Sequence, residues 1–139
     1  MTALPDEARA AIEEGHLAHL VTINPDGSPQ TSIVWVGLEG DEIVAAHLFE
    51  HQKVRNVRRD GRVVLSMETG GQDARGFDNY LVVRGKARIT EGGAPELLQR
   101  LSEIYIGPGI TFPPMDNPPA GYITRIEVER VGGVGPWAG

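Results

Sequence analysis

The sequence predicts a mainly β protein, in which six strands form a small antiparallel barrel with two or three peripheral helices. Its 18 glycines and 10 prolines indicate many turns. Apolar and polar residues alternate in several short runs, as they do in half-buried strands. The first strands follow one another too closely for parallel crossover connections. We expect a barrel rather than a sandwich, because closure removes exposed strand edges.

The first half of the chain is predicted to contain one helix and three strands. Pro5 and the acidic pair Asp6 and Glu7 suit the first turn of a helix, and Gly15 suits its end. The predicted strands span residues 16–24, 30–38 and 42–48, and their short connections imply an antiparallel meander. The Pro-Asp-Gly-Ser sequence at 25–28 is typical of a tight turn.

The second half begins with a short basic helix at 52–62 and continues with strands and one longer helix. The run at 79–90 is the clearest strand, because Leu81, Val83 and Ile89 alternate with polar residues. The other predicted elements are a strand at 62–68, a polar loop at 70–76, a helix at 94–106 with leucines at helical spacing, and a strand at 121–131. Residues 107–119 hold five of the ten prolines, so this loop and the tail at 132–139 are predicted to be irregular.

The bulk composition is that of one globular domain spanning residues 1–139. No apolar run approaches the roughly 20 residues of a membrane span, and no signal segment opens the chain. We therefore expect a cytoplasmic protein that does not contact membranes. The absence of cysteine excludes disulfides and thiolate metal sites. The net charge of −6 disfavours nucleic-acid binding, which usually needs a broad basic face.

Positive charge is concentrated in residues 52–62, whose sequence is QKVRNVRRDGR. This segment holds five of the 13 basic residues and one acidic residue, a net charge of +4, whereas the rest of the chain has eight basic and 18 acidic residues, a net charge of −10. Four of the basic side chains would share one helical face, namely Arg55, Arg58, Arg59 and Arg62. A bound anion would relieve their repulsion. A solvated face whose arginines pair with scattered carboxylates is an equally good interpretation of the charge pattern.

Motifs of several common enzyme classes are absent. None of the four histidines belongs to an HExxH pair, so we expect no metal site. There is no GxSxG, no Walker loop and no GxGxxG after a strand, which leaves hydrolases, NTPases and Rossmann enzymes without support. His47 and His51 flank the start of the basic helix and could hydrogen-bond an anion. For His51 we prefer a partly exposed position at a strand end.

The two tryptophans lie in different settings. Trp35 is in the middle of a predicted strand, which is typical of a core or subunit-interface position. Trp137 follows a glycine-rich stretch near the end of the chain. An exposed aromatic side chain there would lower solubility, so we expect it to dock on another subunit, on the barrel mouth or on a flat ligand.

Six segments of the chain together resemble the pyridoxamine-phosphate-oxidase-like split β-barrel superfamily. They are GHLA at 15–18, PDGSP at 25–29, SIVWV at 32–36, KVRNVRRD at 53–60, YLVVRGKA at 80–87 and GVGPW at 133–137. They are most similar to its actinobacterial branch of small flavin- and deazaflavin (coenzyme F-420)-dependent oxidoreductases. The most specific part is the KxRNxRRD segment, with the tryptophan strand before it and the GKA strand after it. The resemblance implies an FMN-binding-like split barrel of six antiparallel strands.

The resemblance also implies a cofactor site built from several parts of the chain. The implied cofactor-binding residues are Ser32, Ile33, Val34, Trp35, Val36, Ala46, His47, Gln52, Lys53, Arg55, Asn56, Arg59, Tyr80 and Trp137. Two positions depart from the family pattern, because Gln52 stands where an arginine is usual and His47 where a small hydroxyl residue is common. Phosphate binding must therefore depend on Lys53, with neighbouring arginines and Asn56 as further candidates. No side chain is identified as a catalytic acid.

The implied activity is that of an F-420-dependent oxidoreductase. The cofactor would exchange a hydride with a small unsaturated or conjugated substrate. F-420 carries a phosphate and an acidic oligoglutamate tail, which suit a positive helix on an otherwise negative protein. The implied assembly is a homodimer with two sites at the interface. The proline-rich loop and the Trp137 tail would cover the substrate pocket.

Several alternatives stay open. One is an FMN flavoprotein on the same fold, either an oxidase or a flavin reductase, although Gln52 and the large basic cluster disfavour it. Pyridoxamine phosphate oxidase itself is longer and needs further basic residues. A non-catalytic module could carry flavin, F-420 or haem, and His47 is the one candidate for an axial haem ligand. The last alternative is a structural dimer with an empty groove.

Overall fold

Seven antiparallel strands form one sheet in the computed structural model, which describes residues 3–138, and three helices lie around the sheet. In chain order the elements are α1 Asp6–Glu14, β1 Ala18–Ile23, β2 Pro29–Val34, β3 Gly37–Glu39, β4 Glu42–His47, α2 Gln52–Arg59, β5 Arg62–Gln72, β6 Asp78–Glu91, α3 Ala94–Tyr105 and β7 Tyr122–Val134. The mainly β architecture with peripheral helices confirms the predicted fold class. There is one strand more than the six predicted.

The additional strand arises because the predicted strand at 30–38 is interrupted. Trp35 and Val36 leave the sheet, and the chain resumes as β3 at Gly37. The backbone of Val36 bonds to the Tyr105 hydroxyl instead of a neighbouring strand, with the amide donating over 3.0 Å and the carbonyl accepting over 3.2 Å. The hydroxyl of a distant tyrosine thus replaces the missing ladder bonds.

The order of strands in the sheet is β2-β1-β5-β6-β7-β4-β3. Both hairpins of the predicted meander are present, since β1 pairs with β2 and β3 pairs with β4, but the segment predicted as one second strand is divided between opposite ends of the sheet. The predicted closure is wrong, since the ladder has β2 at one end and β3 at the other. The break at Trp35 lets the chain cross from one end of the sheet to the other.

The core lies on the inner face of this sheet. Along β6 the inward positions Leu81 and Val83 are buried, and the residues between and beside them are more exposed, as the alternating pattern predicts. Val63, Leu65 and Met67 of β5 continue the same layer. Their burial provides the main hydrophobic stabilisation of the fold.

Helix α1 covers one end of this core. Pro5 precedes its first residue, Asp6 and Glu7 occupy the first turn, and Gly15 follows its last residue with a φ of 86°. These are the predicted start and stop signals. The buried face of α1 joins the main core cluster. Among the residues described, no helix is long and apolar enough to span a membrane.

The hairpin of β5 and β6 and the C-terminal strand are longer than predicted. β5 extends to Gln72, so the predicted polar loop at 70–76 is partly strand. β7 extends to Val134, and its last residues pair with β6, so the predicted irregular tail begins after Val134. Gly133 permits this extension for two reasons. Its φ is +102°, which favours glycine, and a Cβ atom at this position would lie 2.2 Å from the Tyr80 carbonyl oxygen. The connection from α3 to β7 contains no helix or strand, as predicted.

Candidate functional site

A cavity of about 210 Å³ lies where the ends of β2 and β4 meet helices α2 and α3. Its lining residues are Ile33, Val34, Trp35, Ala46, His47, Lys53, Leu98 and Phe112. Six of them, all except Leu98 and Phe112, belong to the cofactor-binding set that the sequence resemblance implies. These six come from three separate stretches of the chain, so the fold brings together residues distant in sequence.

Lys53 is the one charged side chain in this lining. It is half-buried, and the loss of water around its ammonium lowers its pKa below the usual value. Within residues 3–138, this ammonium forms no hydrogen bond and no ion pair. A half-buried cation without a partner is unfavourable, and an anion bound in the cavity would remove that penalty.

His47 lies on the wall near Lys53 and is buried. Burial, and then the positive charges of Lys53 and His51, lower its pKa to about 3. Its Nε2 atom is 2.8 Å from the Thr124 hydroxyl on β7. The imidazole is therefore neutral at physiological pH, and it contributes hydrogen bonding rather than positive charge.

Aromatic side chains form another wall. The Trp35 ring stacks on Tyr105, with centroids 5.3 Å apart and planes 14° apart. Phe112, from the proline-rich loop, meets Trp35 at 5.1 Å with a tilt of 47°. The Tyr105 hydroxyl contacts the backbone of His16 and Val36, which fixes the ring behind Trp35. The break in the second strand therefore places Trp35 on the cavity wall.

Asn56 belongs to a hydrogen-bond network under α2 and does not line the cavity. It is fully buried. Its amide nitrogen donates to the side chains of Thr22 at 3.1 Å and Asn24 at 3.0 Å, and its amide oxygen accepts from Gln52 at 2.8 Å. These contacts attach α2 to the end of β1. The Asn56 side chain is satisfied by the protein itself.

The arginines of the basic segment also have partners within the chain. Arg58 pairs with Glu50 at 3.2 Å and Glu91 at 3.5 Å. The other partners are the Glu50 carbonyl and Gln52 for Arg55, the Ile23 carbonyl for Arg59, and Asp60 for Arg62. The prediction of a single four-arginine face is wrong, because α2 ends at Arg59 and Arg62 begins β5. The alternative of arginines paired with carboxylates describes Arg58 and Arg62.

Tyr80 and Trp137 lie together, away from the Lys53 cavity. The indole nitrogen of Trp137 donates to the Tyr80 carbonyl at 3.2 Å, and the ring packs in the main core cluster. Trp137 thus docks on its own chain, where it lines a depression with α1 and β5. One protomer does not bring this pair to Lys53.

Two other residues of the implied set, Ser32 and Val36, do not line the cavity. Val36 is buried in the core. The Ser32 hydroxyl is buried and has no hydrogen-bond partner among the residues described. Within the same residues, no group of three or more His, Cys, Asp and Glu side chains is arranged to hold a metal ion.

Sequence reasoning missed Leu98 and Phe112. Leu98 is one of several leucines at helical spacing, and no local signal in the sequence separates a core leucine from a cavity leucine. Phe112 lies in the loop that the resemblance implies as a pocket cover. Its single aromatic ring among five prolines is the signal that could have identified it.

Solved structures of similar fold cover almost the whole chain. An F420 reductase is 27% identical, with a TM-score of 0.74, and the match covers 93% of this chain and 98% of that chain. The conserved hypothetical protein Rv2991 from Mycobacterium tuberculosis is 26% identical, with a TM-score of 0.72 and coverages of 96% and 85%. HupZ of Group A Streptococcus is 20% identical, with a TM-score of 0.65 and coverages of 97% and 97%, which shows likeness of fold alone.

No curated protein matches the chain. A family model does match, and it covers nearly all of the chain, from residue 4 to residue 135. Its description is pyridoxamine 5'-phosphate oxidase. This match agrees with the sequence resemblance and with the split, unclosed sheet. The chain belongs to the pyridoxamine 5'-phosphate oxidase family, and it has that family's split-barrel fold.

Proposed function

We propose that this protein is an oxidoreductase that uses coenzyme F-420, and that the cavity at Lys53 holds the cofactor. The observation that carries this proposal is the half-buried Lys53 ammonium, which has no partner among residues 3–138. A phosphate group would supply the missing negative charge. Other basic side chains nearby already have partners, so the local positive charge is available mainly at Lys53.

The cavity walls suit a flat ring system beside this charge. Trp35 and Phe112 offer aromatic surface, and Ile33 and Leu98 offer apolar surface. Neutral His47 can hydrogen-bond without adding a second charge that would repel Lys53. When bound, F-420 would supply the hydride chemistry. The chain's own residues would bind the phosphate, orient the ring and exclude water from its face.

The choice of F-420 over FMN rests on two observations. The solved F420 reductase is 27% identical over 93% of this chain. Gln52 occupies the position of a usual arginine, and its amide group is engaged by Arg55 and Asn56. Gln52 therefore adds no positive charge at a position where the usual flavin-binding pattern has one. FMN remains the second candidate because the family model describes an oxidase of a phosphorylated pyridoxamine.

We also propose that two copies associate so that each completes the other's site. The outer face of the sheet carries apolar side chains on neighbouring strands, with Val21, Val64 and Val82 half-buried and Tyr80 43% exposed. Pairing these faces would bury that surface. In that dimer we propose that Tyr80 and Trp137 of one copy lie near the Lys53 cavity of the other, which lacks them within one protomer. Conversely, association through another face would leave these two residues outside the site.

The test is a titration of the purified protein with F-420 and with FMN, followed by quenching of tryptophan fluorescence. Tighter binding of F-420 supports the proposal, and tighter binding of FMN replaces it with a flavin enzyme. Lys53→Ala should weaken binding of the preferred cofactor by about 10- to 150-fold, the scale of a charged hydrogen bond. Arg75→Ala is the control, because Arg75 is an exposed cation in the turn between β5 and β6 and lies outside the cavity. Binding of neither cofactor would refute the proposal.

A further inference from the structure

A second depression adjoins the Lys53 cavity, and one side chain separates the two. This depression has a volume of about 480 Å³ and lies between the N-terminal part of α3 and the proline-rich loop. Phe112 lines both spaces. On one side its ring meets Trp35 at 5.1 Å. On the other side the depression continues along Pro113 and Met115.

The position of Phe112 depends on one side chain of α3. The Gln99 amide nitrogen donates to the Ile110 carbonyl at 2.7 Å, and its amide oxygen accepts from the Phe112 backbone amide at 2.9 Å. One carboxamide thus binds the loop backbone on both sides of Thr111, as a neighbouring strand would. These are the two hydrogen bonds shown between α3 side chains and the loop backbone in the part of the chain that the structure describes.

Backbone hydrogen bonds hold the two ends of the loop, at Gly107 and at Ala120 and Gly121, and its middle has fewer contacts. Residues 107–121 contain no helix or strand, and Thr111 and Met115 are exposed. Pro113, the residue after Phe112, is buried and keeps the loop against α3. A segment with few backbone hydrogen bonds takes its position from the contacts that remain. The Gln99 carboxamide therefore determines the distance between the Phe112 and Trp35 rings.

We propose that Phe112 is the residue that limits how large a flat substrate can be accommodated next to Trp35, and that Gln99 is its positioning residue. This inference rests on the proposed function in that the cavity serves a substrate as well as a cofactor. The substrate class is a planar, uncharged, conjugated compound, because the partition and the facing wall are aromatic and the partition itself carries no charge. Removing the ring joins the two spaces into one longer groove.

The test uses the full chain without cofactor and two flat quinones of different size, menadione with two fused rings and phenanthrenequinone with three. Every variant carries Trp137→Phe, so that Trp35 is the remaining tryptophan and its quenching reports binding at the cavity. The measured quantity is the ratio of the two dissociation constants. In the parent protein this ratio should favour menadione, because Phe112 blocks the longer ring system.

Phe112→Ala should shift the ratio toward phenanthrenequinone by about tenfold, the scale of admitting or rejecting one buried apolar group. Gln99→Leu has nearly the same size but no hydrogen bonds, and it should shift the ratio in the same direction. Gln99→Glu keeps an acceptor for the Phe112 amide and loses the donor to Ile110, so it should lie between. Asp116→Ala, in the same loop but outside both linings, is the control and should leave the ratio unchanged.

A purely structural role for Gln99 would change thermal stability without changing the ratio. The inference is overturned if the ratio stays constant in Phe112→Ala, or if Gln99→Leu behaves like Asp116→Ala. Absence of quenching by either quinone in every variant would overturn it as well, because the joined groove should admit both. Since no cofactor is present, these outcomes do not depend on F-420 or FMN binding. Failure of cofactor binding with the expected ratio shift would refute the proposed function alone.

Discussion

Replacing Lys53 by methionine should have opposite effects on cofactor binding and on protein stability. Methionine keeps an unbranched side chain of similar length and removes the ammonium. Lys53 is half-buried, forms no hydrogen bond or ion pair within residues 3–138, and has a pKa lowered by desolvation. Its charge therefore costs free energy in the protein without a bound anion. We expect the variant to gain stability on the order of 1 kcal/mol.

The same change should weaken F-420 binding by about 1.5–3 kcal/mol, because the phosphate loses a charged hydrogen bond. This corresponds to about a 10- to 150-fold rise in the dissociation constant. Urea unfolding monitored by circular dichroism gives the first quantity, and fluorescence titration gives the second. Arg75→Met is the control, since Arg75 is exposed in the turn between β5 and β6, outside the cavity, and both quantities should stay nearly unchanged.

A gain in stability together with a loss of cofactor affinity would show that Lys53 contributes to binding and not to folding. The reasoning is refuted if Lys53→Met lowers stability and leaves cofactor affinity as it was. That result would mean that the ammonium already has a favourable environment in the free protein. Affinity should also fall as the pH rises through the Lys53 pKa, which lies below the usual 10.5, because the bound phosphate favours the protonated amine.

Three further predictions concern stability. The His47 pKa is about 3 in the folded protein and about 6.5 in the unfolded chain, so between these pH values protonation favours the unfolded state. His47→Gln should therefore remove about 2 kcal/mol of destabilisation at pH 5. The same change of melting temperature with pH in wild type and variant would contradict this. Asn56→Ala should cost about 3 kcal/mol, since it leaves the buried Thr22 hydroxyl without its donor; a melting temperature within a degree of wild type would disprove the network. Tyr105→Phe should cost about 1–2 kcal/mol by leaving the Val36 amide unpaired, and unchanged urea unfolding would show that water replaces the hydroxyl.

Local patterns predicted most of the secondary structure but not the way the strands pair. The alternation along β6 and the start and stop of α1 depend on neighbouring residues, so the sequence shows them directly. The break at Trp35 depends on stacking against Tyr105, which is 70 positions away in the chain. A strand pattern continues through residues 30–38 and contains no signal for that contact. The same break allows β2 and β3 to lie at opposite ends of the sheet.

The candidate site likewise contains residues that the sequence predicted and contacts that only the fold shows. The resemblance predicted Lys53 and His47 as cofactor-binding residues, and both line the cavity. It could not show that the arginines beside Lys53 are already paired, because partners such as Glu50 and Glu91 become neighbours only in the fold. Phe112 enters the cavity through a loop anchored by Gln99. Neither residue lies in a segment that carries the resemblance.

The unclosed sheet has a consequence for the way a ligand and the fold act on each other. A closed barrel would need a ladder between the strands at its two ends. Here the cavity lies at that seam, since Ile33 and Val34 come from β2 at one end and Ala46 and His47 from β4 next to the other. A molecule bound there would contact both ends of the sheet and hold them together. Separation of the two sheet edges and dissociation of the ligand would then be coupled, so that the bound ligand slows edge opening and the closed edges slow ligand release.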